Sequence, residues 1–174
     1  MKSFADKGMI DLYHFDESGF SLDPNVPYAW SLVGETLRVP AKRSKQLNVL
    51  GFLNTRTPGL FASTTYDKVD TDVVIAVFDL FVQQLKKKTV VVLDNASMHT
   101  SSKFKAKSEE WEKQGLTLFY LPPYSPQLNP IEMLWKYMKY YWIEFDAYVS
   151  IEAMRAYVEK VIIGYGKDYE ISFG

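Results

Sequence analysis

Two spacings of apolar residues alternate along the chain. Around residues 10–16, Leu12, Tyr13 and Phe15 supply the bulk of a strand that delivers Asp16 and Glu17 into a Ser18-Gly19 turn. Residues 21–45 follow neither spacing, and Asp23-Pro24-Asn25 and Val26-Pro27 are turn chemistry. Leu47–Asn54 and residues 60–66 read as two strands joined by Thr55-Arg56-Thr57-Pro58-Gly59, an antiparallel hairpin. The spacing then becomes helical. From residue 71 or 72 to about 87, Val73, Val74, Val77, Phe78, Phe81 and Leu85 share one face, with three lysines in the last turn. Thr89–Leu93 is a continuous apolar run, the mark of a strand buried on both faces and parallel to a neighbour, and it ends at Asp94-Asn95. A second helix runs from residue 101 or 102 to 114 and stops at Gly115; Leu116–Tyr120 is a fifth strand. Ile131, Leu134, Trp135, Met138 and Tyr141 or Trp142 mark a third helix, and Ser150 caps a last one over residues 151–163.

The order β-β-β-α-β-α-β-α with one further helix predicts an α/β protein. Its mixed five-stranded sheet has three antiparallel strands, then two parallel ones, and helices on both faces. That order resembles the ribonuclease H-like fold. At 174 residues, without repeat or linker, the chain is expected to form a single domain over 1–174.

Composition narrows the chemistry. The chain is 47% hydrophobic and 16% aromatic, which suits a packed core. It has no cysteine and two histidines, which excludes disulfides and thiolate metal sites and leaves little for a His-rich zinc site. No apolar run approaches a membrane span and no signal-peptide core opens the sequence, so a cytoplasmic location is expected. Net charge is −1, yet Arg38, Lys42, Arg43, Lys45 and Arg56 form a stretch without an intervening acid, and Lys103, Lys105 and Lys107 form another cluster. Such runs are either solvated faces or strips that contact phosphates.

The most distinctive stretch is LPPYSPQLNPIEMLW at 121–135. Pro122, Pro123 and Pro126 forbid a regular helix and stiffen the approach. Asn129 then suits an N-cap, Pro130 the first helical position, and Glu132 the third. Two readings stand for Glu132. It closes a capping box with Asn129 and pairs with Lys136, or it is a functional carboxylate. Asp16 and Asp94 add two more acids at strand ends that a mixed sheet brings to one edge. Adjacent carboxylates stay ionised together only around a cation, and oxygen donors alone favour Mg²⁺ or Mn²⁺. Glu17 rivals Asp16, but alternation turns it to the opposite face. Trp135, Tyr137 and Tyr140 serve either the core or a nucleic acid, and His99, five residues after Asp94, either orients a phosphate or water or is a capping or packed histidine.

FDESGF at 15–20, VVLDNASMH at 91–99 and the proline block together closely resemble the catalytic domain of DDE transposases of the mariner superfamily, particularly its bacterial insertion-sequence branch. The resemblance implies that Asp16, Asp94 and Glu132 are the catalytic residues and metal ligands, holding two Mg²⁺ (or Mn²⁺) ions. It implies hydrolysis of a phosphodiester at a transposon end and attack of the freed 3′-hydroxyl on target DNA, usually at TA. DNA is then the partner, contacted by Arg38, Lys42, Arg43, Lys45, His99, Lys103 and Lys136, with a homodimer in the synaptic complex. The family carries N-terminal helix-turn-helix modules, whereas barely fifteen residues precede Asp16. The expectation is an isolated catalytic domain, the product of a split reading frame whose DNA-binding half is encoded separately, or a truncated remnant. The alternative is an inactive remnant that binds DNA or assists assembly.

Overall fold

The computed structural model describes residues 8–23, 46–123 and 125–173. Arg38, Lys42, Arg43 and Lys45 lie outside them. Five strands, β1 (Asp11–Phe20), β2 (Leu47–Asn54), β3 (Gly59–Thr65), β4 (Thr89–Leu93) and β5 (Leu116–Tyr120), form one sheet in the order β3-β2-β1-β4-β5. The first three are mutually antiparallel, and β4 runs parallel to both β1 and β5. Helices α1 (Thr71–Val82) and α2 (Ser102–Lys113) cover one face. The other is covered by α3 (Ile131–Tyr137), its π-helical extension Met138–Trp142 and α4 (Ile151–Gly164). The mixed, two-sided α/β architecture is the one the residue pattern predicts.

Alternation along β1 distributes side chains between two cores. Phe15 faces α1 and α2 and packs its ring against Phe52 and Phe78 in a buried aromatic cluster that includes Phe104 and Trp111. Phe20 faces the other way, toward Trp135 and Met138. On β2, Leu50 and Phe52 join the first core, while Leu47, Val49 and Leu53 join the second. Burying each such side chain contributes about 1.5–3 kcal/mol.

Three predicted boundaries move. β1 does not turn at Ser18-Gly19; it continues to Phe20, because β2 pairs with it from Tyr13↔Asn54 to Phe20↔Leu47. α1 is capped by Asp70, whose carboxylate accepts the N–H groups of Asp72 and Val73. It ends at Val82, short of the lysines, because its last buried residues are Phe81 and Val82 and nothing apolar beyond Leu85 holds another turn. The Asn129 cap is the third, and it bears on the site.

Candidate active site

The parallel register sets the geometry. His14 of β1 lies beside Val92 of β4, so two residues further on Asp16 stands opposite Asp94, just where β4 ends. The strand end that exposes Asp16 is thus β4's, while β1 itself runs on. Asp16 points to the α3 face, and Trp135 of α3 donates its indole N–H to Asp16 Oδ2 at 3.0 Å. Gly51 sits across from Asp16 on β2 and leaves room for that indole: a Cβ there would stand 2.8 Å from the ring.

Asn129 does not cap α3. Its side-chain amide donates 3.0 Å to the carbonyl of Phe15, joining the proline block to β1 across 114 positions of sequence. Its own carbonyl accepts from the N–H of Glu132. The reciprocal capping box is therefore not formed, and Glu132 remains exposed in the first turn of α3. Asp16, Asp94 and Glu132 line one cavity of about 480 Å³, whose far wall is Leu121, Pro122, Pro123 and Pro126. Asn95 donates to the Leu121 carbonyl and ties that wall to the end of β4.

The three acids feel one another. Burial, then the charges of Glu17, Glu132 and Asp94, push the Asp16 carboxyl up to about 8. Burial also raises Glu132; the nearby Lys139 opposes this and Asp94 adds to it. Asp94 goes the other way: the hydrogen bond from His99 holds it below the usual carboxylate range against its burial. A cluster that protonates for want of a counter-charge, built of oxygen donors only, suits a hard divalent cation. Among the described residues no three His, Asp or Glu side chains are gathered tightly enough to cage an ion unaided.

Lys139 was missed in the sequence. It stands seven residues after Glu132, on the same helical side, and its ammonium lies 5.3 Å from the centre of the Phe20 ring. Burial lowers its pKa, while the charges of Glu132 and Asp16 act to raise it. With Lys136, Tyr140, Ser18 and Gly19 it lines a second groove of about 400 Å³ that shares Asp16 and Glu132 with the first cavity. The i, i+4, i+7 spacing of Glu132, Lys136 and Lys139 was the available signal.

His99, expected to touch DNA, is completely buried. Its ring lies 2.8 Å from Asp94 Oδ1 through Nδ1 and 2.8 Å from Glu17 Oε1 through Nε2, and packs against Phe15 and Phe104. Both ring nitrogens are occupied, so that expectation is corrected. Lys103 is exposed at the start of α2 and pairs with Asp72 of α1, on the other face from α3.

The fold recurs in solved structures of Mos1 transposase complexes and of a viral intasome. The structure matches that of the Mos1 strand transfer complex with a TM-score of 0.66 at 15% identity, covering 97% of this chain and 51% of that one. It matches the Mos1 mariner paired-end complex with Mn at 0.63 and 15%, over 94% and 51%. A simian T-cell lymphotropic virus intasome matches at 0.53 and 12%, over 74% and 38%. In sequence, the uncharacterized protein y4pE/y4sA of Sinorhizobium fredii (strain NBRC 101917 / NGR234) is 39% identical over 54 residues, 31% of this chain and 36% of that protein. The chain thus spans about half of the Mos1 chains and about a third of the Sinorhizobium protein. No helix of the described residues is long and apolar enough to cross a membrane. The model of the DDE superfamily endonucleases matches residues 11–155, and the chain belongs to that family.

Proposed function

We propose that this chain is the catalytic domain of a DNA transposase that cuts a phosphodiester at a transposon end and joins the freed 3′-hydroxyl to target DNA. The observation that carries the reading is the convergence of Asp16, Asp94 and Glu132 on one cavity from three remote segments. A divalent cation held there, Mg²⁺ or Mn²⁺ and in the family's manner a pair of them, would activate the attacking hydroxyl and stabilise the leaving oxygen. The protein's part is positional. Trp135 holds one oxygen of Asp16, the α3 helix presents Glu132, and the proline wall confines the strand being cut. Lys136 and Lys139, in the adjoining groove, supply cationic contacts for the phosphates on either side of the scissile bond. We extend to this chain the assembly of two copies on paired ends, with end recognition supplied by a DNA-binding region outside these residues. The basic stretch Arg38, Lys42, Arg43 and Lys45, with Lys103, completes the proposed DNA backbone contacts.

The test offers supercoiled plasmid and short duplexes carrying a recessed 3′-hydroxyl to the purified protein with Mg²⁺, Mn²⁺ or EDTA. Nicking and joined products that need the ion, and vanish in Asp94→Asn, are expected. An Asp94→Asn variant as active as the parent would overturn the reading. Cutting without any joined product would leave an endonuclease and remove the transposase.

A further inference from the structure

The FDES block contributes two adjacent acids to opposite faces of β1, and only one of them lines the cavity with Asp94 and Glu132. The other, Glu17, reaches into the α1/α2 face and meets His99. We propose that Glu17 and His99 are positioning residues that fix Asp94 for metal binding. The proposal rests on the assignment of Asp94 as a metal ligand.

The argument is geometric. Asp94 is the first residue after β4, with a side chain about half exposed (54%), beyond the ladder pairs of the described strands. Its Oδ1 receives both the His99 ring at 2.8 Å and the backbone N–H of Ala96 at 3.0 Å. Oδ2 takes no hydrogen bond from the described residues, so one oxygen is spent on orientation and the other is left to the cavity. His99 in turn is clamped on every side. Its Nε2 meets Glu17, its backbone carbonyl accepts the Tyr120 hydroxyl at 2.9 Å, and its ring fits edge-on against Phe15. Because Glu17 belongs to β1, the same strand that carries Asp16, the link Glu17–His99–Asp94 fixes the two aspartates relative to each other. Ionised carboxylates only accept hydrogen bonds, so an imidazole between two of them donates from both nitrogens and carries one positive charge. Glu17 meets that charge from the far side of the ring, while its own charge still acts on Asp16. Outer partners of this kind orient ligands, and their loss typically weakens metal binding by about 10–100-fold.

The decisive variant replaces the pair together. Glu17→Leu/His99→Leu removes one negative and one positive charge, so the local net charge is unchanged, and exchanging a buried ion pair for apolar side chains is often neutral for folding. Mn²⁺ affinity is read from the electron paramagnetic resonance signal of the free ion, well below the melting temperature measured in EDTA. The double variant is expected to bind Mn²⁺ about 10–100-fold more weakly than the parent, with Asp94→Asn at least as weak. His99→Gln, which keeps one N–H for Asp94, is expected to bind more tightly than His99→Leu. Parental affinity in the double variant beside a weak Asp94→Asn would overturn the positioning role alone, as would equal affinity of His99→Gln and His99→Leu. Parental affinity in Asp94→Asn would remove the metal assignment and this inference with it.

Discussion

The two faces of the sheet are built to opposite ends from one alternating strand. The α1/α2 face is closed: Phe78 alone touches the rings of Phe15, Phe52, Phe104 and Trp111 at centroid distances of 4.7–5.3 Å. The α3 face is closed around Phe20, Leu47, Val49 and Met138 but opens beside the end of β4, where Asp16, Asp94 and Glu132 stand around a cavity and Lys139 lies half-buried beside them. One face supplies stability, and the other holds uncompensated acids that cost it. The lesson is in Asp16 and Glu17, neighbours with the same functional group. Glu17 is paired with His99 on the closed side, while the Asp16 carboxyl on the open side is pushed to about 8 by burial and then by the charge of Glu17 itself.

The largest effect that breaks this contrast is on chemistry. Asp16→Asn and Glu132→Gln are each expected to lower ion-dependent DNA cleavage roughly a hundredfold or more, the scale of losing a group that stabilises developing charge. Neither should lower the melting temperature of the ion-free protein, since each removes a repelling acid. Phe78→Ala does the reverse. It empties a fully buried site and is expected to cost about 3–5 kcal/mol in denaturant unfolding. The Mn²⁺ affinity of the remaining folded protein should be unchanged. A variant of either kind that moved both properties would show the two faces to be one unit.

Gly51 is where the packing of the α3 face meets the site. It pairs with Asp16 on β2, and the Trp135 indole lies over it. Gly51→Ala puts a methyl 2.8 Å from an aromatic carbon of that ring, and Ile131 behind it is also close, at 3.3 Å. Overpacking of this sort costs about 1–3 kcal/mol. Because the displaced ring is the one that holds Asp16, a loss of cleavage beyond that expected from the folded fraction should accompany it. Parental stability and cleavage would show that the indole has room to move.

The legibility of these features follows from how local their causes are. The five strands and their faces rest on alternation within short segments, and they were readable. The end of α1 was not, because Lys86, Lys87 and Lys88 suit a last helical turn that buries nothing. Asn129-x-x-Glu132 had the composition of a capping box. What diverts Asn129 is the carbonyl of Phe15, which no local window contains. The three acids were legible through the blocks they sit in, and Asp16 opposite Asp94 followed from the parallel pairing. His99 was visible only as a lone histidine after Asp94. Its partner Glu17 lies 82 positions away, so neither its burial nor its role had a local signal.

The smallest expected effect sharpens the comparison without a mutation. The Asp16 carboxyl ionises near 3.8 in an unfolded chain and near 8 when folded without an ion, through burial first and then through Glu17, Glu132 and Asp94. Between those values the native state binds the extra proton, so stability falls as pH rises and levels off above about 8. The ion-free protein should therefore lose melting temperature from pH 5 to 8, with a share attributable to Asp16. Asp16→Asn should flatten that part of the slope. A divalent cation favours the ionised carboxylate, so the gain in melting temperature on adding Mg²⁺ should grow over the same interval. A gain independent of pH would place the ion away from Asp16, since only binding that competes with its proton carries the pH dependence.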